Sequence, residues 1–364
     1  MTNQQEFRIC ELPGDGIGIE VMEAARAVLA AAQERVGGFR LAGESYHAGA
    51  AAYRDTGTAM ADEAWRAADE ADAILLGAMG LPDVRYPDGT EIAPQVELRF
   101  EFHLYAGLRP IRVLTGGPRA LADPRAADID FVLIRESTEG LFAARGKGEL
   151  IGDQEARDTM VITRATSEKL FDFAFSLAER RRERGHPGKV TLVDKANIFT
   201  SMAFFRKVFD ERAHSYPELA TERLYVDACA LDFVRRPWDF DVLVTENMYG
   251  DILSDLGAGL IGGMGFAPSA DIGDEHAVFQ PSHGTAPDIA GSGKANPTAM
   301  ILSASMMLDW LGHRHGVTAC SDASRLIDNA VETVFAEKTV RPYDIGGTDG
   351  TAAMAKAVIE ALRR

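Results

Sequence analysis

The feature that most restricts how this chain can fold is a series of short, continuous apolar runs separated by stretches with helical periodicity. Phe7 to Leu12, Ala73 to Leu76, Phe131 to Ile134, Val190 to Val193 and Val242 to Val244 are β-branched or Leu-rich. Runs of this kind read as strands buried on both faces. Between them lie helical patterns: Ser167 to Arg182, and Val21, Ala24, Ala25, Val28, Leu29 and Ala32 after the turn Pro13-Gly14-Asp15-Gly16-Ile17-Gly18. Strand and helix in alternation predict an α/β chain with a largely parallel sheet covered by helices. Toward the C-terminus Ala299 to Leu311 and Ala323 to Glu337 are amphipathic. Ile252 to Ile261 leaves few polar faces, which suits a helix buried in a core or between subunits.

With 364 residues the chain is long for one core and suited to two lobes with a cleft between them. Its formal charge of −17 argues against general affinity for nucleic acid, and an anionic ligand would need a local cluster of arginines. No run of about eighteen apolar residues occurs, and MTNQQEFRIC does not resemble an export signal, so neither membrane insertion nor export is expected and a cytoplasmic location is. Cys10, Cys229 and Cys320 are odd in number and lack CxxC spacing, which fits reduced structural thiols.

Several polar groups stand where chemistry is expected. Asp251 and Asp255 are four residues apart on a helical pattern, so their carboxylates share one face and could converge on a hard cation; acids stabilising a helix N-terminus are the other reading. Asp227 follows a strand-like start and is either a third oxygen ligand or a capping residue. Lys195 ends an apolar strand, where α/β folds place ligand-binding groups. Crowded by a cation it could act as a base; otherwise it is a surface lysine. Arg99, Arg109 and Arg135 border apolar segments; each alone could be a structural ion pair, and together they suit a substrate with two or more carboxylates.

The small-residue loop His283-Gly284-Thr285-Ala286-Pro287-Asp288-Ile289, followed by Asn296-Pro297, ends in a helix start. Its amides could receive a pyrophosphate, and Asp288 could take a ribose hydroxyl and so disfavour a 2′-phosphate. The earlier Gly14-Asp-Gly-Ile-Gly18 run lacks the GxGxxG spacing and is weak as a dinucleotide signal.

The strings LPGDGIG, YAGLRPIR, IRESTEG, VDKANIF, YVDACAL, TENMYGDILSDL and HGTAPDIAGSGKANPTAMILS occur in the order found in the isocitrate and isopropylmalate dehydrogenases, and over almost its whole length the chain resembles that family. The resemblance implies an isopropylmalate dehydrogenase-like fold of two α/β domains, 1–105 plus 258–364 for the dinucleotide and 106–257 for substrate, metal and dimerisation. It implies Arg99, Arg109 and Arg135 as a carboxylate clamp, with Gln95 and Asn197 also at the substrate. Asp227, Asp251 and Asp255 would hold Mg²⁺ or Mn²⁺, K⁺ being a further candidate ion. Lys195 would be the base, the loop His283 to Asn296 would bind NAD, and a homodimer would share its sites, Lys195 and Asp227 arriving from the second subunit.

Two departures from the family pattern bear on function. Phe142 stands where the family usually has a tyrosine that protonates the enol carbon, and Tyr249 stands where phenylalanine is common. Tyr249, or an ordered water, is therefore the expected replacement acid. Ile92, Gln95 and Val96 fall where isopropylmalate enzymes use an acid and two leucines, and Ala93 falls on the serine of isocitrate enzymes. A substrate of the 3-isopropylmalate, D-malate or tartrate type is expected, with the polar Gln95 leaning toward the last two. Oxidation without decarboxylation and a catalytically silent subunit are the competing readings.

Overall fold

A computed structural model describes residues 4–364. Twelve strands form in chain order: β1 Gln5–Gly14, β2 Phe39–Ser45, β3 Ala73–Ala78, β4 Ala106–Arg112, β5 Asp130–Glu136, β6 Glu149–Ile151, β7 Glu155–Arg157, β8 Lys189–Asp194, β9 Ala220–Tyr225, β10 Val242–Thr245, β11 Pro268–Ile272 and β12 Ala277–Pro281. Ten of them make one continuous sheet in the order β2-β1-β3-β12-β11-β4-β5-β10-β8-β9, while β6 and β7 pair as a separate ribbon. The outer ladders are parallel, as the apolar runs predict. The centre is not, because β12–β11, β11–β4 and β4–β5 are antiparallel.

All five apolar runs are strands, and each is longer than the run that announced it. The helices Gly18–Val36, Arg164–Glu183, Thr298–His315 and Thr318–Ala336 match the helical patterns within a few residues. They cover both faces. Phe7, Phe131, Phe279 and Met307 are fully or almost fully buried in the larger cluster, and Phe171, Phe175, Phe205 and Phe209 anchor a second one beneath β5, β8 and β10. The helix Asn247–Leu260 lays Leu253 and Leu260 on the core but leaves Ile252 58% exposed. No helix among the described residues is long and apolar enough to cross a membrane, and all three cysteines are buried and unbridged.

The turn after β1 has a structural role that its letters alone did not show. The Asp15 carboxylate accepts from the amides of Ala50 (2.7 Å), Ala51 (2.8 Å) and Gly80 (2.8 Å), so it clamps three chain segments together. Beside it, Ile17 N donates to Thr285 O at 2.8 Å, and Thr285 Oγ1 donates to Gly80 O at 2.7 Å. Gly16 has φ +57°, and a Cβ there would lie 2.1 Å from Thr285 O. Gly16→Ala should therefore lower unfolding free energy by about 2 kcal/mol or more in urea titration, since left-handed strain and the clash with backbone add.

Candidate active site

Three elements bring the arginines to one place. Arg99 lies in the last turn of the helix Pro94–Glu101, Arg109 on β4 and Arg135 at the end of β5. Strand alternation turns Arg109 and Arg135 to the same face of the sheet. Between two of them stands Asp271 of β11, fully buried, 3.0 Å from Arg99 Nε and 3.2 Å from Arg109 Nη2. Gln280 Nε2 donates to the same carboxylate at 2.8 Å. Gly107 faces Asp271 across the ladder, and a Cβ on it would come within 3.0 Å of the Asp271 oxygen and 2.5 Å of Ser137 Oγ, so only glycine leaves the carboxylate room.

Guanidinium groups this close repel each other and lose hydration. Burial, then the neighbouring Arg99, pulls the Arg135 guanidinium down to about 10, with Asp251 opposing. Burial works against the charge on Asp271, yet Arg99 and Arg109 outweigh it and hold its carboxyl down at about 2. Asp271 is thus a permanent internal counterion.

The helix Asn247–Leu260 supplies the acids. Asp251 pairs with Arg135, whose Nε also donates to Asn247 Oδ1 at 2.8 Å. Burial and the charge of Asp251 raise the Asp255 carboxyl, while Arg135 and Arg109 restrain it. Two carboxylates one helical turn apart, one of them raised by the other, are a fit for a divalent cation. Neither caps the helix, which begins at Asn247 and is capped by the Glu246 side chain on the amides of Met248 (3.0 Å) and Tyr249 (2.7 Å).

Lys195 and Asp227 form a second group. They pair with one another, and the lysine pulls the Asp227 carboxyl below its usual range. Behind them Asp194 is held by Arg206 through two contacts of 2.7 Å. Among the described residues of one copy no three acids, histidines or cysteines gather as a metal site, and the set Asp227, Asp251 and Asp255 is expected to close only across two copies. Around Lys195 and Asp227 the surface is apolar, with Ile198, Phe199, Leu231, Val234, Met248 and Ile252 exposed. Asn197, two residues beyond Lys195, is exposed there as well.

Tyr249 sits two residues before Asp251, a spacing that puts the two side chains on different faces of their helix. Its ring packs on the second core cluster, and its phenol is raised by burial, then by Glu246, Asp194 and Asp227. The structure thus places Tyr249 toward the Lys195 group rather than the arginines. Phe142 is the ring beside the clamp, its centroid 5.1 Å from the Arg135 guanidinium carbon.

Gln95 precedes Arg99 by one helical turn and shares its face; its Oε1 is buried with no donor among the described residues. Ile92 is fully buried in a satellite cluster with Ala50 and Ala59, so it packs and does not line the site. In the loop, Gly284, Ala286, Pro287, Asp288 and Ile289 are exposed, and Thr285 is tied to Gly80. His283 Nε2 is buried and unpartnered, and burial lowers the ring's affinity for a proton. Asn296 is engaged, donating to Asp344 at 3.0 Å and accepting from Thr298 N at 3.1 Å.

Sequence reasoning missed Asp271, Gln280, Asn247 and Glu136. The available signal was an acid inside Pro268–Ile272, otherwise uncharged, because a carboxylate buried in a sheet requires a cation. Glu136 accepts from Thr138 N (2.7 Å), Thr138 Oγ1 (2.6 Å) and Glu139 N (2.6 Å), yet burial pushes it up to about 7.

Three arginines gathered beside a pair of acids, with an exposed small-residue loop on a mostly parallel sheet, make a site of the kind found in α/β enzymes. Comparison narrows the class. Residues 8–362 match the isocitrate/isopropylmalate dehydrogenase family model. The chain is 40% identical over 357 residues to the 3-isopropylmalate/3-methylmalate dehydrogenase of Methanocaldococcus jannaschii, covering 98% of this chain and 99% of that one. It is 39% identical over 359 residues to an isocitrate/homoisocitrate dehydrogenase of Thermus thermophilus, covering 98% and 99%. Among solved structures, isocitrate dehydrogenase from Methylococcus capsulatus superposes with a TM-score of 0.85 at 38% identity, covering 98% and 100%. The apo β-decarboxylating dehydrogenase from Thermococcus kodakarensis gives 0.80 at 34%, covering 98% and 96%. The chain belongs to the isocitrate/isopropylmalate dehydrogenase family of β-decarboxylating dehydrogenases, oxidoreductases acting on CH–OH.

Two outcomes follow from the buried charges. Asp271→Asn leaves Arg99 and Arg109 unanswered and should cost on the order of 3–5 kcal/mol of stability, read by urea unfolding near neutral pH. Folded Glu136 keeps its proton up to about 7 while the unfolded chain releases it near 4.5, so this residue should make stability fall as pH rises through that window. Glu136→Gln should flatten that slope in pH-dependent unfolding; an unchanged slope assigns it elsewhere.

Proposed function

We propose that the protein oxidises, and decarboxylates, a 2-hydroxy dicarboxylic acid with NAD and a divalent cation, as a cytoplasmic homodimer. The observation that carries this reading is the convergence of Arg99, Arg109 and Arg135 beside Asp251 and Asp255. Asp271 answers Arg99 and Arg109 together, and a cation that draws Asp251 off Arg135 would leave the cluster net positive toward substrate carboxylates.

Each residue has a stated task. The arginines hold the carboxylates, with Asn197 as a further amide, and Lys195 of a second copy takes the hydroxyl proton. Asp251 and Asp255, with Asp227 of a second copy, would hold Mg²⁺ or Mn²⁺. That cation supplies polarisation of the hydroxyl and keto oxygens, and NAD supplies the acceptor for the C2 hydride. The 2-keto acid then loses its β-carboxylate as CO₂, the bonding electrons passing to an enol that must be reprotonated at carbon. Phe142 has no proton to give there, so Tyr249 of the second copy, which lies with Lys195, or water takes this step.

The loop His283 to Asn296 is assigned to NAD, and the exposed carboxylate of Asp288 opposes a 2′-phosphate. A shared site is supported by the exposed apolar residues around Lys195 and Asp227, which a second copy would cover. The sheet order supports the division into 1–105 plus 258–364 and 106–257, since the five strands on each side of the β11–β4 ladder come from one of these sets. The unanswered Gln95 Oε1 favours a substrate carrying a hydroxyl over one with an isopropyl group.

The second reading, oxidation alone, rests on Phe142. One assay separates the readings: NADH and CO₂ formation with Mn²⁺ across isopropylmalate, D-malate, tartrate, isocitrate and homoisocitrate. Equimolar NADH and CO₂ from D-malate or tartrate is expected, with Tyr249→Phe losing CO₂ release by at least about tenfold. NADH without CO₂ establishes the second reading, and no NADH from any substrate sinks both.

A further inference from the structure

The central sheet has a second face, away from the arginine cluster. Leu108 on β4, Val132 on β5 and Ile272 on β11 alternate with Arg109, Arg135 and Asp271 and so point to the other side. They floor a groove of about 610 Å³, within the range small-molecule sites occupy. One wall is the helix Arg164–Glu183, through Leu177 and Arg180; the other is Thr298–His315, through Met306 and Trp310.

Arginines crowd its rim, and all but one are answered. Arg181 reaches Asp241 at 2.6 Å and Asp130 at 3.1 Å, Arg314 reaches Glu275 at 2.9 Å, Arg112 reaches Glu332 at 3.4 Å, Arg184 reaches Asp309 at 3.9 Å, and Arg325 pairs with Asp322. The acids are likewise engaged, Asp130 by Arg181, Asp309 by Arg184 and Asp328 by Ser305 Oγ at 2.8 Å. Arg180 is half-buried and has no carboxylate within 4.0 Å among the described residues; burial lowers its hold on the proton, and the more distant Asp309, Glu183 and Glu179 offset that only in part. A desolvated guanidinium with no partner is costly, and the cost disappears when an anion arrives.

We infer that this groove binds a small amphipathic monocarboxylate, its acid end on Arg180 and its hydrocarbon over Leu108, Val132, Leu177 and Ile272. A neutral molecule of equal size leaves the guanidinium unpaired. A cationic one meets repulsion.

The site carries its own reporter in Trp310. Octanoate titrated into the full-length protein should give a saturable change in tryptophan emission that Trp310→Phe abolishes, leaving Trp65 and Trp238 silent. Octanol should bind at least about tenfold more weakly, the ratio one charge-assisted contact sustains, and octylamine should not bind. Arg180→Met should weaken octanoate about tenfold and leave octanol unchanged, while Arg180→Glu should shift preference to octylamine. The inference is overturned if octanoate and octanol bind alike, if Arg180→Met changes nothing, or if no saturable signal appears because a second copy of the chain covers the groove. Should a variant fail to fold, the comparison of octanoate with octanol on the unmutated protein still decides.

Discussion

The arrangement of this site depends on one buried carboxylate. Asp271 accepts from two guanidinium groups and an amide in the middle of a sheet, and without it Arg99 and Arg109 would stand as bare charges in a low-dielectric interior. Its acceptors are directional, so it fixes where the arginines point as well as what they cost. In the proposed function the substrate would meet these arginines already in position. The same residue removes one unit of positive charge from the cluster.

The two polar groups of the proposed site are held differently. The arginine cluster is built within one chain on the sheet and the helix Pro94–Glu101, with its acids on the helix Asn247–Leu260. Lys195 and Asp227 stand at a surface, paired with each other and ringed by exposed hydrocarbon. Asp194 and Arg206 set the lysine's base from behind. Each group is well formed alone, and neither is a complete site for acid–base work on a carboxylate substrate.

Much of this was legible in the letters. The outer strands announced themselves because they are buried on both faces and so are continuously apolar. The central strands β4, β11 and β12 did not, because AGLRPIR, PSADI and AVFQP carry charge, proline or amide where they meet the site. Arg99, Arg109, Arg135, Asp251 and Asp255 were found by their company, and the structure gathers them. Asp271 and Gln280 escaped because a pairing between β11 and β12 has no local trace in either segment. Asp15 was passed over since its turn lacks the dinucleotide spacing; the carboxylate instead ties that turn to the amides of Ala50, Ala51 and Gly80. That Tyr249 turns away from Asp251 follows from helical geometry and could have been read beforehand.

The junction of β4 with β11, at the centre of the sheet, is a short one. Three residue pairs span it, Ala270 with Leu108, Asp271 with Gly107 and Ile272 with Ala106, whereas β4 and β5 are matched over seven. A plate joined along a narrow seam can bend there, and a narrowing on one side is then a widening on the other. The arginine pocket and the groove behind it lie on opposite sides of that seam, so the volume of each is geared to the volume of its counterpart through the backbone alone.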